Sequence, residues 1–329
     1  MKKLSIKRLG FLCLLPACLF LLNANAQSPD SWPNKQVRIV VPYVAGAMGD
    51  IVARRLTEGL RNELGQPVFV ENRPGAGGNI GTQYVEQSAA DGYTILLAAT
   101  NNFTINQFLY KDLAFDPIKK FDAITVLVDV PSVIFIPATI PVNGFREFVN
   151  YAKANQGKIN YGSPGSGTTP HISAESINKS FGLGMTHIPY KGASQAVAAL
   201  LAGDIQFYLA GAGLGVPHVK SGKLRAIAVS SKSRLDIFPD IPTFNEAGLG
   251  GINASNWWGV AVPAGTPRGI SEKIQNAFCK VMSETTNKTA MTQMGNISVC
   301  NSMLDAQKQF SEEALSWQRN LPGLNIKID

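Results

Sequence analysis

The stretch Val37-Arg-Ile-Val-Val-Pro-Tyr-Val-Ala-Gly-Ala-Met-Gly-Asp-Ile-Val-Ala-Arg54 constrains the fold more than any other part of this 329-residue chain. An apolar run reads as a buried strand, a small-residue loop follows, and from Asp50 to Leu64 the pattern is that of an amphipathic helix. A strand feeding a helix through such a loop points unpaired backbone N–H groups at whatever lies above the sheet. The layout recurs at Ile159–Ile177, where Asn160-Tyr-Gly-Ser-Pro-Gly-Ser-Gly-Thr-Thr-Pro-His171 leads into a second helix. Two such cradles point to capture of a small anion.

The first 26 residues read as an export signal. Lys2, Lys3, Lys7 and Arg8 precede a nearly continuous apolar run from Leu9 to Leu22, and Ala24-Asn25-Ala26 fits the small-x-small cleavage rule before Gln27. About 14 apolar residues fall short of the roughly 20 that span a bilayer, so an anchor is the weaker reading. Leu15-Pro-Ala-Cys18 resembles a lipoprotein box only faintly, because the apolar run continues past it. The expected product is a periplasmic protein. Without the four basic residues of the signal the net charge of +7 falls to about +3. No basic stripe with interleaved aromatics remains, which argues against nucleic acid as a partner. Cys279 and Cys300 are the only cysteines after the signal, and an oxidising compartment favours their pairing over two separate thiols. His171, His187 and His218 are scattered and neither cysteine has a ligand-spaced partner, so no metal is expected. No cofactor motif is present either.

Strand candidates at Val37–Pro42, Val68–Glu71, Thr94–Ala98, Ala123–Val128, Val133–Ile136, Met185–Ile188, Ile205–Leu209, Arg225–Val229 and Gly259–Val262 alternate with helical patterns. That alternation predicts an α/β chain with mostly parallel sheets. Helices near Gly269–Glu284 and Leu304–Gln318 close it. Val128-Asp-Val-Pro-Ser132 and Asn253-Ala-Ser-Asn-Trp-Trp-Gly259 look like crossings between two α/β lobes. The expected division is 27–128 plus 253–329 for the first lobe and 129–252 for the second, joined by two hinge strands in a clamshell.

The chain resembles the Bug family of periplasmic solute-binding proteins, the extracytoplasmic component of tripartite tricarboxylate transporters. The resemblance is carried by Trp32-Pro33, Pro42-Tyr-Val-Ala-Gly-Ala-Met-Gly-Asp-Ile-Val-Ala-Arg54, Val70-Glu-Asn-Arg-Pro-Gly-Ala-Gly-Gly-Asn-Ile-Gly81 and Asp91-Gly-Tyr-Thr94. It continues in Tyr161-Gly-Ser-Pro-Gly-Ser-Gly-Thr168, Pro189-Tyr-Lys-Gly192, Gly222-Lys-Leu-Arg-Ala-Ile-Ala228, Pro239-Asp-Ile-Pro-Thr-Phe-Asn-Glu-Ala-Gly248 and Trp257-Trp-Gly-Val-Ala-Val-Pro-Ala-Gly-Thr-Pro267. It implies a type II periplasmic-binding-protein fold, a small carboxylate held between the lobes largely by main-chain N–H groups, and delivery to integral-membrane permease subunits. The residues it carries over are Tyr43, Ala45, Gly46, Ala47, Met48 and Gly49 in one lobe and Ser163, Gly165, Ser166, Gly167 and Thr168 in the other. The family's first loop commonly reads Gly-Gly-(Gly or Pro)-Thr-Asp. Here Gly46-Ala-Met-Gly-Asp50 lacks that hydroxyl and adds an apolar side chain.

Other candidates follow from position. Asn101 and Asn102 come after a strand, where open α/β sheets place ligands; capping the next helix is compatible with that. Tyr190 and Lys191 follow another strand, as rim donors or, for Lys191, as an ordinary solvated lysine. Thr169 reads as a helix N-cap with Pro170 at the first helical position. Asp50 and Arg54 read as an i, i+4 pair, His171 as a neutral structural or capping group, and Arg73 with Pro74–Gly78 as a close-packing turn. Met48 and Phe103, if both face the cleft, would favour a ligand with an apolar body. No nucleophile elbow, His-Glu-x-x-His or Cys-x-x-Cys is present, so no catalytic residues are assigned. A binding module for a membrane sensor and, behind it, a secreted hydrolase are the alternative functions. A monomer is expected.

Overall fold

The computed structural model describes residues 31–329 except 112, 114, 255, 325, 327 and 329. The export signal, its cleavage site, Cys13 and Cys18 lie outside the described residues. In chain order the first elements are β1 (Val37–Val41), α1 (Met48–Leu64), β2 (Val68–Asn72), α2 (Asn79–Glu86), β3 (Thr94–Ala99), α3 (Thr100–Thr104), α4 (Asn106–Leu109), α5 (Pro117–Lys120) and β4 (Phe121–Asp129). Next come β5 (Ser132–Pro137), α6 (Phe145–Ala154), β6 (Asn160–Ser163), α7 (Thr169–Phe181), β7 (Thr186–Pro189), α8 (Ala193–Ala202), β8 (Phe207–Gly211), α9 (Ala212–Lys220) and β9 (Leu224–Val229). The chain closes with β10 (Trp257–Pro263), α10 (Arg268–Ser283), α11 (Thr285–Gln293), β11 (Ile297–Ser298) and α12 (Met303–Asn320).

One sheet has the order β11-β4-β10-β3-β1-β2, the other β7-β6-β8-β5-β9. Each sheet is covered on both faces. Alternation along β10 sends Trp258 into the core against α1 and α10 and Trp257 into the opposite core with Phe103 and Phe310. The chain leaves the first sheet at the end of β4 and returns to it at β10. The two crossings run side by side, with the Val130 N–H donating to Asn256 O at 2.7 Å.

The sheets are mixed rather than mostly parallel. Four strand pairs run parallel and five antiparallel. The antiparallel ones all involve β4, β5 or β10, the strands that meet the crossings, or β11 beside them. A strand arriving from the other lobe needs no helical crossover and is free to lie antiparallel. Four helices and the short β11 were not legible as elements. α9 carries Pro217 inside it, α11 lacks a strong apolar stripe, and α4 and α5 are only four residues each, too short to show a helical period.

Two further features join the lobes. A cluster of Ile105, Ile172, Trp317 and Leu321, with Leu109, Leu324 and Ile326 against it, draws on both α/β units and on the C-terminal run. At the opposite end α9 abuts the end of α11, and a Cβ on Gly213 would lie 2.4 Å from Met294 O. Cys279 on α10 and Cys300, just past β11, form a disulfide with their Cα atoms 5.4 Å apart.

Candidate functional site

The loop before α1 is built as a strand–helix cradle, but much of it is satisfied internally. The helix starts earlier than the sequence suggests, at Met48 with Ala47 as an N-cap that has no side-chain cap. Asp50 folds back from the first turn. Its carboxylate accepts from the Gly46 N–H at 2.9 Å and from Arg54 Nε at 2.8 Å. Burial alone would raise its pKa, but Arg54, the Gly46 amide and Asn72 together hold it below the usual carboxylate range. Gly49 is a packing residue, since a Cβ there would lie 2.1 Å from Trp258 Cζ3. The Tyr43 ring stands edge-on to Trp258 at 5.2 Å.

The asparagines expected to meet the ligand belong to the same internal network. Tyr43 Oη lies 3.0 Å from Asn101 Oδ1 and 2.7 Å from Asn102 Oδ1. The side-chain amides of Asn101, Asn102 and Asn106 all donate to Gly77 O, at 3.0, 3.0 and 3.2 Å. Burial raises the Tyr43 pKa well above that of a free phenol, so the hydroxyl keeps its proton. Met48 is also held, with its sulfur 3.5 Å from Asn296 Nδ2. Phe103 does not face the cleft; it is buried in the core, stacked on Trp257 and packed against Phe310. A residue directly after β3 turns into α3, which sends its side chain back under the sheet.

The loop before α7 is braced from behind. Thr168, not Thr169, is the N-cap, which places Thr169 and Pro170 in the first turn. The Gly167 N–H donates to His171 Nδ1 at 3.0 Å, so the ring proton of the neutral imidazole sits on Nε2. His171 stacks on His187 with centroids 3.8 Å apart, and His187 stacks on Tyr161 at 4.9 Å. Burial lowers the pKa of both imidazoles, to about 3 for His171, with His187 adding to the effect, and to about 4 for His187. The parallel register of β6 and β7 sets Tyr161 opposite His187. His171 is thus the neutral structural histidine that its position suggests.

Ser163 Oγ lies 2.7 Å from His187 Nε2 and also bonds both the O and the N–H of Gly165. A serine hydroxyl beside an imidazole is the start of a hydrolytic constellation, and no local motif signals it. Ser163 is fully buried, and among the described residues no carboxylate bonds the imidazole. The pair therefore props the loop. Thr168 Oγ1 is likewise engaged, donating to Gly165 O at 2.7 Å.

What remains free is narrow. With Gly165 and Gly167 amides turned inward and Pro170 lacking an N–H, the Ser166 and Thr169 amides have no internal acceptor among the described residues. The Thr169 hydroxyl is buried without a partner. Ser166 borders a cavity of about 450 Å³ whose other walls are Tyr161, His171, Glu175, Lys179, His187, Leu324 and Ile326. A second cavity of about 350 Å³ lies among Phe108, Leu109, Gln318, Leu321, Pro322 and Ile326. Residues 43–49 line neither. The first loop connects to the second through α3 and α4: Tyr43 holds Asn101 and Asn102, and Leu109 reaches the open face of Gly167. Tyr190 sits beside the second loop, its N–H donating to Ser163 O at 2.9 Å, while Lys191 is exposed. Arg73 stacks on Tyr84, and Gly81 brings α2 against Arg73 O, as a close-packing turn requires. Among the described residues there is no acidic, histidine or cysteine cluster that could hold a metal, and no helix long and apolar enough to cross a membrane.

The model of the tripartite tricarboxylate transporter family receptor matches residues 52–322. A UPF0065 protein of Cupriavidus necator, from the gbd 5' region, is 38% identical over 259 residues, which are 79% of this chain and 78% of the relative. The periplasmic binding protein BugD superposes with a TM-score of 0.79 at 32% identity, over 90% of this chain and 99% of its own. An R. palustris protein solved with adipate reaches 0.82 at 27% identity, over 90% of this chain and 99% of that one. MatC from Rhodopseudomonas palustris, solved with malate, reaches 0.79 at 27% identity, over 88% and 100%. These matches span both α/β units and the crossings between them, and the chain belongs to the tripartite tricarboxylate transporter receptor family, the Bug proteins, whose members are periplasmic solute-binding receptors with a two-lobed fold.

Proposed function

We propose that the chain captures a small dicarboxylate between its lobes in the periplasm and hands it unchanged to a membrane permease. One carboxylate sits at the N-terminus of α7, on the Ser166 and Thr169 amides and the Thr169 hydroxyl. The observation that carries this reading is that unpartnered, buried hydroxyl beside two free amides at the positive end of a helix of 13 residues. The larger cavity, at about 450 Å³, is of the size that small-molecule sites have. Adipate and malate in two relatives support the ligand class.

In this reading residues 1–26 are removed on export, residues 27–128 with 253–329 form one lobe and 129–252 the other, and the protein works as a monomer. The first loop, Tyr43–Gly49, contributes from the facing lobe as the clamshell closes, with Tyr190 and Lys191 at the rim. A thermal-shift screen over succinate, malate, adipate and citrate tests the ligand class, because a ligand binding only the folded state raises stability by about 2.7 kcal/mol at a hundredfold excess over its dissociation constant. Adipate or malate should raise the Tm and be recovered intact, with a smaller radius of gyration in small-angle scattering. Turnover of the bound acid would instead move the reading to an enzyme.

A further inference from the structure

The C-terminal run Leu324-Asn-Ile-Lys-Ile328 alternates apolar and polar residues, the period of an extended segment with one apolar edge. Its apolar members meet the site. Leu324 and Ile326 pack on the cluster of Ile105, Ile172, Trp317 and Leu321 that joins the lobes. Ile328 Cδ1 lies 2.2 Å from where a Cβ on Gly167 would be, so it covers the bare backbone of the glycine loop. Lys179 Nζ on α7 donates to Gly323 O, tying the start of the run to the second lobe.

Among the described residues, Ile326 alone lines both cavities. On one side lies the polar chamber with Ser166, His171, Glu175, Lys179 and His187; on the other lies a space walled by the side chains of Phe108, Leu109, Leu321 and Pro322, with Gln318 beside them. Joined, the two would admit a carboxylate whose apolar chain runs from one space into the other.

We infer that Ile326 is a specificity-determining partition: it confines the ligand to the polar chamber and excludes carboxylates whose apolar body would run into the space beyond. The inference rests on the proposed carboxylate site at the start of α7. A compact dicarboxylate keeps its second charge in the polar chamber, where Lys179 is the cation among the described lining residues; Glu175 is engaged by Tyr161 Oη at 2.6 Å and by Asn178 Nδ2 at 3.1 Å. A fatty acid has no second charge to place there and needs the apolar space that Ile326 closes off.

The test compares adipate with octanoate by isothermal titration on the mature protein, in the parent and in Ile326→Ala. The parent should prefer adipate, and the variant should shift the octanoate-to-adipate affinity ratio toward octanoate by about tenfold or more, the scale on which apolar pockets discriminate by methylene groups. Should Ile326→Ala fail to fold, as judged by circular dichroism, Ile326→Val should give a smaller shift in the same direction. Phe108→Ala enlarges the far space without opening the partition and should leave the ratio unchanged. An unchanged ratio in a folded Ile326 variant that still binds adipate overturns the inference and leaves the carboxylate reading standing. An equal shift in Phe108→Ala overturns it too, as general loosening. Absence of adipate and octanoate binding to the parent overturns both.

Discussion

The two strand–helix loops look alike in sequence and differ in how their donors are used. Before α1 the chain's own Asp50 carboxylate returns to the Gly46 amide, and the Tyr43 hydroxyl is held between two asparagines. Before α7 a stack of Tyr161, His187 and His171 supports the loop from behind and leaves amides and the buried Thr169 hydroxyl without internal partners among the described residues. A glycine loop at a helix start is thus an anion site only to the extent that its internal hydrogen bonds leave donors over. The first loop is a structural joint with some free backbone; the second carries spare donors.

The sharpest way to break this comparison is the same substitution in both loops. Gly46 and Gly167 both have positive φ, at +82° and +75°, but a Cβ at Gly46 meets open space whereas one at Gly167 meets Ile328. Gly167→Asp adds backbone strain, overpacking worth about 1–3 kcal/mol and a like charge at the carboxylate. Adipate titration should show a loss of more than about a hundredfold for Gly167→Asp and no more than about tenfold for Gly46→Asp, each tenfold step being about 1.4 kcal/mol. Equal losses in two folded variants would make the loops equivalent.

A pH series probes the brace behind the second loop. The folded pKa values of His171 and His187, about 3 and about 4, lie below the unfolded value, so between pH 6.5 and those values the unfolded state binds more protons. Their contribution is complete above pH 6.5 and declines on acidification, by at most about 1.4 kcal/mol per pH unit for each ring. Asp129, at the first crossing, opposes this. Burial raises its pKa to about 6 despite the Val130 amide and Lys232, so its folded form gains protons first and stability rises as pH falls from 6 toward 3.8. Urea denaturation at pH 7.0, 5.5 and 4.5 should show a net loss toward acid, steeper in Asp129→Asn and shallower in His187→Gln. A parent indifferent to pH over this range would mean that the rings are not held neutral by burial.

Asn102→Ala addresses the first loop directly. It removes an acceptor from the Tyr43 hydroxyl and a donor from Gly77 O, and should lower stability by about 1–3 kcal/mol. Adipate affinity should change less than about threefold if the network is structural; a larger loss with an unchanged urea midpoint would return Asn102 to the ligand. The smallest effect is expected from Thr169→Val. Replacing an unpartnered buried hydroxyl should leave the urea midpoint unchanged or slightly higher, while adipate binding weakens by roughly tenfold, about one hydrogen bond to a charged group. If Thr169→Val binds adipate as tightly as the parent, the hydroxyl does not face the carboxylate.

Local patterns in the sequence were enough to place β1, the loop and α1, the second loop with α7, the Asp50–Arg54 pair and the neutral state of His171, because each depends on neighbours a few residues apart. The direction of β10 and β5 was not legible, since it is decided by partners more than a hundred residues away in the case of β10 and β4. The Ser163–His187 contact escaped for a related reason: it follows from the β6–β7 register, which pairs residues 26 apart and so brings Ser163 beside His187, 24 residues on. Whether Phe103 faces the cleft was not legible, because the chain begins a helix immediately after β3 and so changes the face on which the next side chains emerge. The run after α12 carried a readable alternation, but nothing local says that it packs on Gly167.

The disulfide bears on when this fold is completed. Cys300 lies in the short segment whose amides pair with β4, Val299 N–H to Leu127 O and Cys300 N–H to Val126 O, directly beside the crossing at Asp129. Until Cys279 and Cys300 are oxidised, that edge of the crossing is held by hydrogen bonds alone. A chain whose two thiols stay reduced therefore has a looser crossing than the oxidised one, and thiol oxidation is the step that stiffens it.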